Sequence, residues 1–290
     1  MAARAGRGVC CRGRGGSVSR RGEHVERRRG ITHREGVFVT RALQRATPFG
    51  VIAVLLGLWW ISAAKSPIFP TPLGVVLGIL ALAREGTLTL HVAASLYRVA
   101  LGYGLALLLA VPLGSLMGWY AGVFRAFNPM IQLVRPISPI AWIPLAILWF
   151  GVGNASPTFL IFLSSFFPIV VATTAGVHLV ERQYVRAAQN FEVKGPRLFR
   201  SVIFPAALPQ IITGMRVGLG VAWLVVVAAE MVAINSGLGY LIMDARNSGT
   251  RYDLVVAGMV IIGVIGFLLD LGMRRLESLD VVRWRYHHAR

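Results

Sequence analysis

The sequence predicts an all-α membrane protein with six transmembrane helices and a polar loop between the fourth and fifth, and three observations predict it. Of 290 residues, 56% are hydrophobic and only 14% charged, with a mean hydropathy of +0.65, which is too apolar for a water-soluble domain. Six charge-poor runs approach the roughly 20 residues that a helix needs to cross a hydrocarbon core about 30 Å thick. These runs are continuously apolar rather than alternating, which argues against barrel strands.

The runs fall at residues 48–64, 99–119, 129–150, 157–180, 211–234 and 254–273. Short loops rich in Lys and Arg remain in the cytoplasm. With the N-terminus inside, 23 of the 30 basic residues fall in cytoplasmic segments, whereas the external ones hold only Lys65, Arg84, Arg246 and Arg251. Both termini are therefore expected in the cytoplasm. Residues 1–40, rich in Arg and Gly, read as a disordered basic tail ahead of a six-helix domain at 41–290. The tail has no short apolar core followed by a cleavage site, so it is not a secretory signal. Its charges read as a solvated run without a specific nucleic-acid role. Cys10 and Cys11 are the only cysteines, and no disulfide framework or cysteine metal site is expected.

Between the fourth and fifth runs, the segment 181–211 is longer than a tight turn requires. Ala187, Ala188, Phe191, Leu198, Phe199, Val202 and Ile203 recur at three- and four-residue spacing, with Arg186, Lys194, Arg197 and Arg200 among them. Gly195 and Pro196 interrupt the pattern. Two short amphipathic helices are expected, ended by Pro205 and Pro209 before the fifth span.

The stretch RAAQNFEVKGPRLFRSVIFPAALPQIITGMRVGLGVAWLVVVAAEM resembles the "EAA" loop and following span of ABC importer permeases. Ala187 and Ala188 match that pattern and the interval to Phe204-Pro205 is kept, while Arg186 stands where Glu is usual and Glu192 where Gly is usual. RPISPIAWIPLAILWFGVG and the stretch 235–270 are similar to the nitrate, sulfonate and taurine branch of that family. The resemblance covers nearly everything after residue 40. It implies a permease for a small anionic solute in the bacterial inner membrane, working as a homodimer amid membrane lipid. The implied partners are cytoplasmic ABC ATPase subunits and a periplasmic or lipid-anchored solute-binding protein. It further implies an ATPase-coupling loop made of Arg186, Ala187, Ala188, Gly195, Arg197, Leu198, Phe199, Arg200, Pro205, Leu208 and Pro209. Leu198 and Phe199 would be its apolar anchor and the arginines its rim.

A phosphate-binding loop needs Gly-x-x-x-x-Gly-Lys-Ser/Thr, and neither Lys65 nor Lys194, the only lysines, fits. ATP is therefore expected on a partner subunit, with no cofactor and no enzymatic activity in this chain. Within the spans, Pro136, Pro139 and Pro144 predict a broken third helix, either lining a path or kinked for packing. Intramembrane charges are costly and mark function. Glu230, near the external end of the fifth span, is expected in an outer gate or against a partner subunit. Arg216 and Arg135 either snorkel to the nearby interface or meet the solute. Pro139 and Trp142 complete the candidates for the path. Gly114-x-x-x-Gly118 and Gly214-x-x-x-Gly218 suit close helix approach. The alternative is an ion-gradient-driven secondary transporter, which would show two related halves and paired midplane carboxylates. The sequence shows neither.

Overall fold

The computed structural model describes residues 50–51, 53–63, 69–249 and 251–277. The expected tail at 1–40, both cysteines, Lys65, the ends of the first apolar run and the stretch past residue 277 lie outside the described residues. The chain divides into two units, Met1–Ile61 and Ser62–Arg290. An apolar helix, α1 (Ala53–Ala63), accounts for most of what is described of the first apolar run.

In the second unit the described residues are helical, joined by turns and irregular segments, with no strand among them. The helices are α2 (Pro72–Arg84), α3 (Thr87–Trp119), α4 (Ala121–Val134), a 3-10 turn (Pro139–Trp142), α5 (Ile143–Phe150) and α6 (Ala155–His178). Next come α7 (Arg182–Asn190), α8 (Gly195–Leu198), a π-turn (Phe199–Ile203), α9 (Phe204–Ala233), α10 (Leu238–Asn247) and α11 (Tyr252–Glu277). Four helical stretches are long and apolar enough to cross a bilayer, Thr87–Trp119, Ala155–His178, Gly195–Val232 and Tyr252–Glu277.

Small residues set how α3, α6 and α9 pack. A Cβ added at Gly118 would lie 2.5 Å from Cβ of Val177, and one at Gly214 would lie 2.2 Å from Cβ of Ala172, so both glycine pairs sit at close helix crossings. Gly102 meets Ile161 and Gly118 meets Val177, so α3 and α6 run parallel. Gly218 meets Ile169 and Gly176 meets Gln210, so α9 runs antiparallel to both. Helix α11 lies antiparallel to α9, with Trp223 Nε1 donating to the Ile262 carbonyl at 3.1 Å and Arg216 bound to Asp270. One end of this bundle carries the α7–α8 loop; the opposite end carries α10.

The third run is broken, as its prolines predict, with α4 and the Pro139–Phe150 stretch meeting at 85°; two other expectations change. Pro136 and Pro139 remove two amide donors about one turn apart, and residues 135–138 leave the helix. The second span begins at Thr87, twelve residues before the apolar run, since of the polar residues ahead of that run Ser95 and Arg98 are buried and His91 is half-buried. Pro205 and Pro209 do not end the second loop helix, which continues from Gly195 into α9. The π-turn just before Pro205, where the Phe204 amide donates to the Phe199 carbonyl, widens the backbone where the proline ring would meet the preceding turn.

The turn between α7 and α8 has Glu192 at φ 60° and Gly195 at φ 58°. Glu192 occupies the position where the resembling family usually carries glycine. The left-handed turn is thus kept with a side chain that strains it. Glu192→Gly is expected to leave the thermal midpoint in detergent unchanged or slightly raised. Glu192→Val, β-branched at positive φ, should lower stability by about 1–2 kcal/mol; equal midpoints for the two variants would contradict the strain.

Candidate functional site

At the α10 end, His91, Ser95 and Arg98 stand at i, i+4 and i+7 on one face of α3, and that face continues as Gly102 and Ala106 into the core. Arg98 is 1% exposed and Glu230, one turn from the end of α9, is 0% exposed. Their side chains form an ion pair, Arg98 Nη1 donating to Glu230 Oε1 at 2.6 Å. Each nitrogen of Arg98 and each oxygen of Glu230 has a hydrogen-bond partner. Arg98 Nε donates to Asn154 Oδ1 at 2.8 Å, Nη1 also donates to the Ser236 carbonyl at 3.0 Å, and Nη2 donates to Ser236 Oγ. Glu230 accepts from Ser95 Oγ at 2.8 Å and from the Gly239 amide at 3.0 Å. The Leu238 amide donates to Ser95 Oγ at 2.9 Å and the Gly237 amide to His91 Nδ1 at 3.0 Å.

The knot therefore ties α3, the N-cap of α6, the end of α9 and the start of α10. Its wrapping needs glycine twice. Gly237 has φ 106° and a Cβ there would lie 2.3 Å from the Glu230 carboxyl carbon, while a Cβ at Gly239 would lie 2.3 Å from the Val227 carbonyl. Glu230 is thus enclosed by its own chain, with no face open to a gate or a partner. Arg98, Ser95, Asn154 and Ser236 were not singled out from the sequence.

The other candidates for the path are dispersed. Arg216 does not reach freely toward the interface; it bridges α9 and α11 through Asp270 at 2.6 Å and Glu277 at 3.2 Å, and Asp270 also accepts from Arg274 at 2.9 Å. Pro139 opens the 3-10 turn, and the half-buried Trp142 closes it with its indole N–H unpartnered among the described residues. Arg135 is the C-cap of α4 and is exposed. The 14 residues of α4 precede it, and the bend into the 3-10 turn follows.

At the loop end, Arg186, Ala187, Gly195, Arg197 and Arg200 are exposed, whereas Ala188, Phe199, Pro205 and Leu208 are half-buried and Pro209 is buried. The expected anchor is corrected. Leu198 is only 4% exposed and packs with Val177, Ile203, Ala207 and Ile211, because the continuous helix turns it toward the core. Phe199 lies edge-on to Trp119 at 5.5 Å and lines an apolar cleft of about 530 Å³ with Pro112, Tyr120 and Arg200. The apolar side chain that the loop does present is Phe191, 82% exposed at the end of α7.

The family model for binding-protein-dependent transport system inner membrane components matches residues 110–279. The chain is 40% identical over 237 residues to the taurine transport system permease protein TauC of Escherichia coli (strain K12), covering 79% of this chain and 86% of that one. It is 37% identical to the putative aliphatic sulfonates transport permease protein SsuC of Bacillus subtilis (strain 168), covering 80% and 85%. It is 35% identical to the nitrate import permease protein NrtB of Synechocystis sp. (strain ATCC 27184 / PCC 6803 / Kazusa), covering 81% and 88%. Among solved structures, the inward-facing MetNI methionine ABC transporter shares the fold at a TM-score of 0.56 and 15% identity, over 63% of this chain and 91% of that one.

Removing one member of a buried ion pair strands the other, at about 3–5 kcal/mol. Glu230→Gln, which keeps the shape but not the charge, should lower the thermal midpoint in detergent by about 10 °C. Gly237→Ala should do the same by displacing the carboxylate. A midpoint unmoved in both variants would show that the knot does not hold this end of the bundle.

Proposed function

The chain belongs to the family of binding-protein-dependent transport system inner membrane components and is a permease of an ABC importer, and from that premise we propose that its cargo is a small oxyanion, nitrate or an organic sulfonate such as taurine. The observation that carries this is the agreement of relatives at 35–40% identity, named for taurine, aliphatic sulfonates and nitrate. All three solutes present a compact anionic head with three equivalent oxygens. One recognition chemistry therefore serves all of them.

The permease acts as a pair of identical copies in the cytoplasmic membrane, because the spans of one chain are too few to enclose a path with two gates. Each copy crosses six times, counting the first apolar run and the bent α4–α5 pair, with both termini inside. An external binding protein delivers the solute to the α10 end, and two ATPase subunits engage the loop end from the cytoplasm.

In this reading α7 and α8 form the coupling element. Ala187 and Phe191, one turn apart on α7, offer the apolar contact; Arg186, Arg197 and Arg200 surround it with charge, and Ala188, Gly195, Leu198, Phe199, Pro205, Leu208 and Pro209 shape and support it. What supports it is the exposure of Phe191 on a loop whose arginines at 186, 197 and 200 have no ion-pair partner among the described residues.

Two measurements check these points. Calorimetric titration of the cognate binding protein with taurine, ethanesulfonate and nitrate is expected to give tight binding of at least one; a preference for solutes that carry no sulfonate or nitrate-like oxyanion group would contradict the cargo class. Phe191→Asp should release the ATPase on co-purification while leaving the permease's thermal midpoint in place. Undiminished co-purification would remove α7 from the docking surface.

A further inference from the structure

Helix α4 faces α6 in the antiparallel sense across a cavity of about 240 Å³, lined by Phe124, Ile131 and Gln132 from one and by Val170, Thr174 and His178 from the other, and this register sets the level of the bend at the C-terminal end of α4. The ring of Phe124 meets the ring of His178 at 5.3 Å, and Ile131 packs in one cluster with Ile169 and Val170. Counting eleven residues onward from Phe124 and eleven back from His178 sets Arg135 level with Phe167. That is about 16 Å from the His178 end of a helix about 36 Å long. Arg135 thus stands at mid-depth of the bundle, too far from either end for its side chain to snorkel.

Among the described residues it is also the unpaired cation at that level. Arg98 is paired with Glu230 and bonded to Asn154 and Ser236, and Arg216 is paired with Asp270 and Glu277. Those three carboxylates are the acidic side chains on the long spans away from their first turns, and each is already paired with arginine. Arg135 is exposed and has neither an ion-pair nor a side-chain hydrogen-bond partner among the described residues.

The backbone at this level points the same way. Residues 135–138 are the irregular corner of the 85° bend, and Ser138 beside it is exposed with its hydroxyl unpartnered among the described residues. Irregular backbone and a bare guanidinium at mid-depth are tolerated against water or protein, not against lipid tails.

We propose that Arg135 is the residue of the translocation path that recognises the anion, with Ser138 beside it, at the corner where α4 breaks. This rests on the oxyanion reading of the cargo and gives that reading its contact point. A guanidinium presents a planar fork of donors that matches two oxygens of a sulfonate or of nitrate, and it keeps its charge at any physiological pH. A single such contact binds firmly enough to admit the anion and weakly enough to release it.

The test uses the complete complex of permease, ATPase and cognate binding protein in proteoliposomes, with taurine, ethanesulfonate and nitrate as probes. Wild type is expected to accumulate at least one of them on ATP addition. Arg135→Gln should assemble normally and keep ATP hydrolysis stimulated by the loaded binding protein, while anion moved per ATP falls by about tenfold or more. Arg135→Lys should recover part of the loss, keeping charge without the fork. Transport per ATP within about twofold of wild type in Arg135→Gln would overturn the proposal while leaving the cargo class intact. Dissociation of the complex in Arg135→Gln, rescued by Lys, would overturn it in favour of a counter-ion on a neighbouring subunit. Wild type that moves none of the three anions would overturn both the cargo class and the assignment of Arg135.

Discussion

A guanidinium and a carboxylate 2.6 Å apart, both closed off from solvent inside an apolar bundle, are the constraint to which the rest of this structure answers. Taking either charge out of water is expensive, and in a bilayer no solvent is at hand to relieve a loose fit. The pair persists because every neighbouring group is bent to its needs. Ser95 lies one turn before Arg98 on α3, Asn154 begins α6, and Ser236 and the Gly239 amide come from the strap that leads into α10. Three stretches far apart in sequence, around residues 95–98, 154 and 230–239, therefore converge at one level, and the close crossing of α3 with α6 at Gly102, Gly114 and Gly118 carries their alignment along the bundle.

The same carboxylate sits at one end of a long lever. From Gly195 to Val232 the chain forms 38 residues of continuous helix, about 57 Å, irregular at the π-turn of Phe199–Ile203 and lacking amide donors at Pro205 and Pro209. Beyond Pro209 no proline interrupts it before the knot, and an uninterrupted helix resists bending. The loop end and the knot end of this importer subunit are accordingly joined by one stiff element, braced on its way by the Arg216 bridge to Asp270 and Glu277 on α11.

Much of this was legible in the sequence, and the reasons for the remainder are physical. The long spans declare themselves through apolar runs, and the glycine pairs through their four-residue spacing. Glu230 announced itself as a charge where charges are costly. Its partner did not, because Arg98 falls just before an apolar run and reads as its polar boundary. The signal was nonetheless present, in the helical spacing of His91, Ser95 and Arg98, a polar face that only burial explains. Leu198 misled for the converse reason: amphipathic spacing shows that a face is apolar, not whether it is covered by a partner or by the chain itself. Proline likewise predicts a break where the backbone has no way around it, as at Pro136 and Pro139, but the π-turn ahead of Pro205 supplies one. Arg135 reads as lying near an interface because α4, whose 14 residues precede it, begins in a stretch carrying Arg125 and Asn128 that interrupts the apolar pattern.

The central claim is that Arg98 and Glu230 act as one unit rather than as two separately useful side chains. A double-mutant cycle on thermal unfolding in detergent, with Arg98→Met, Glu230→Met and the two combined, measures this directly. Each single substitution should be strongly destabilising, and the double variant should lose far less than the sum, since neither charge is then left stranded. Losses that simply add would mean that the two residues hold the bundle independently, and would contradict the account.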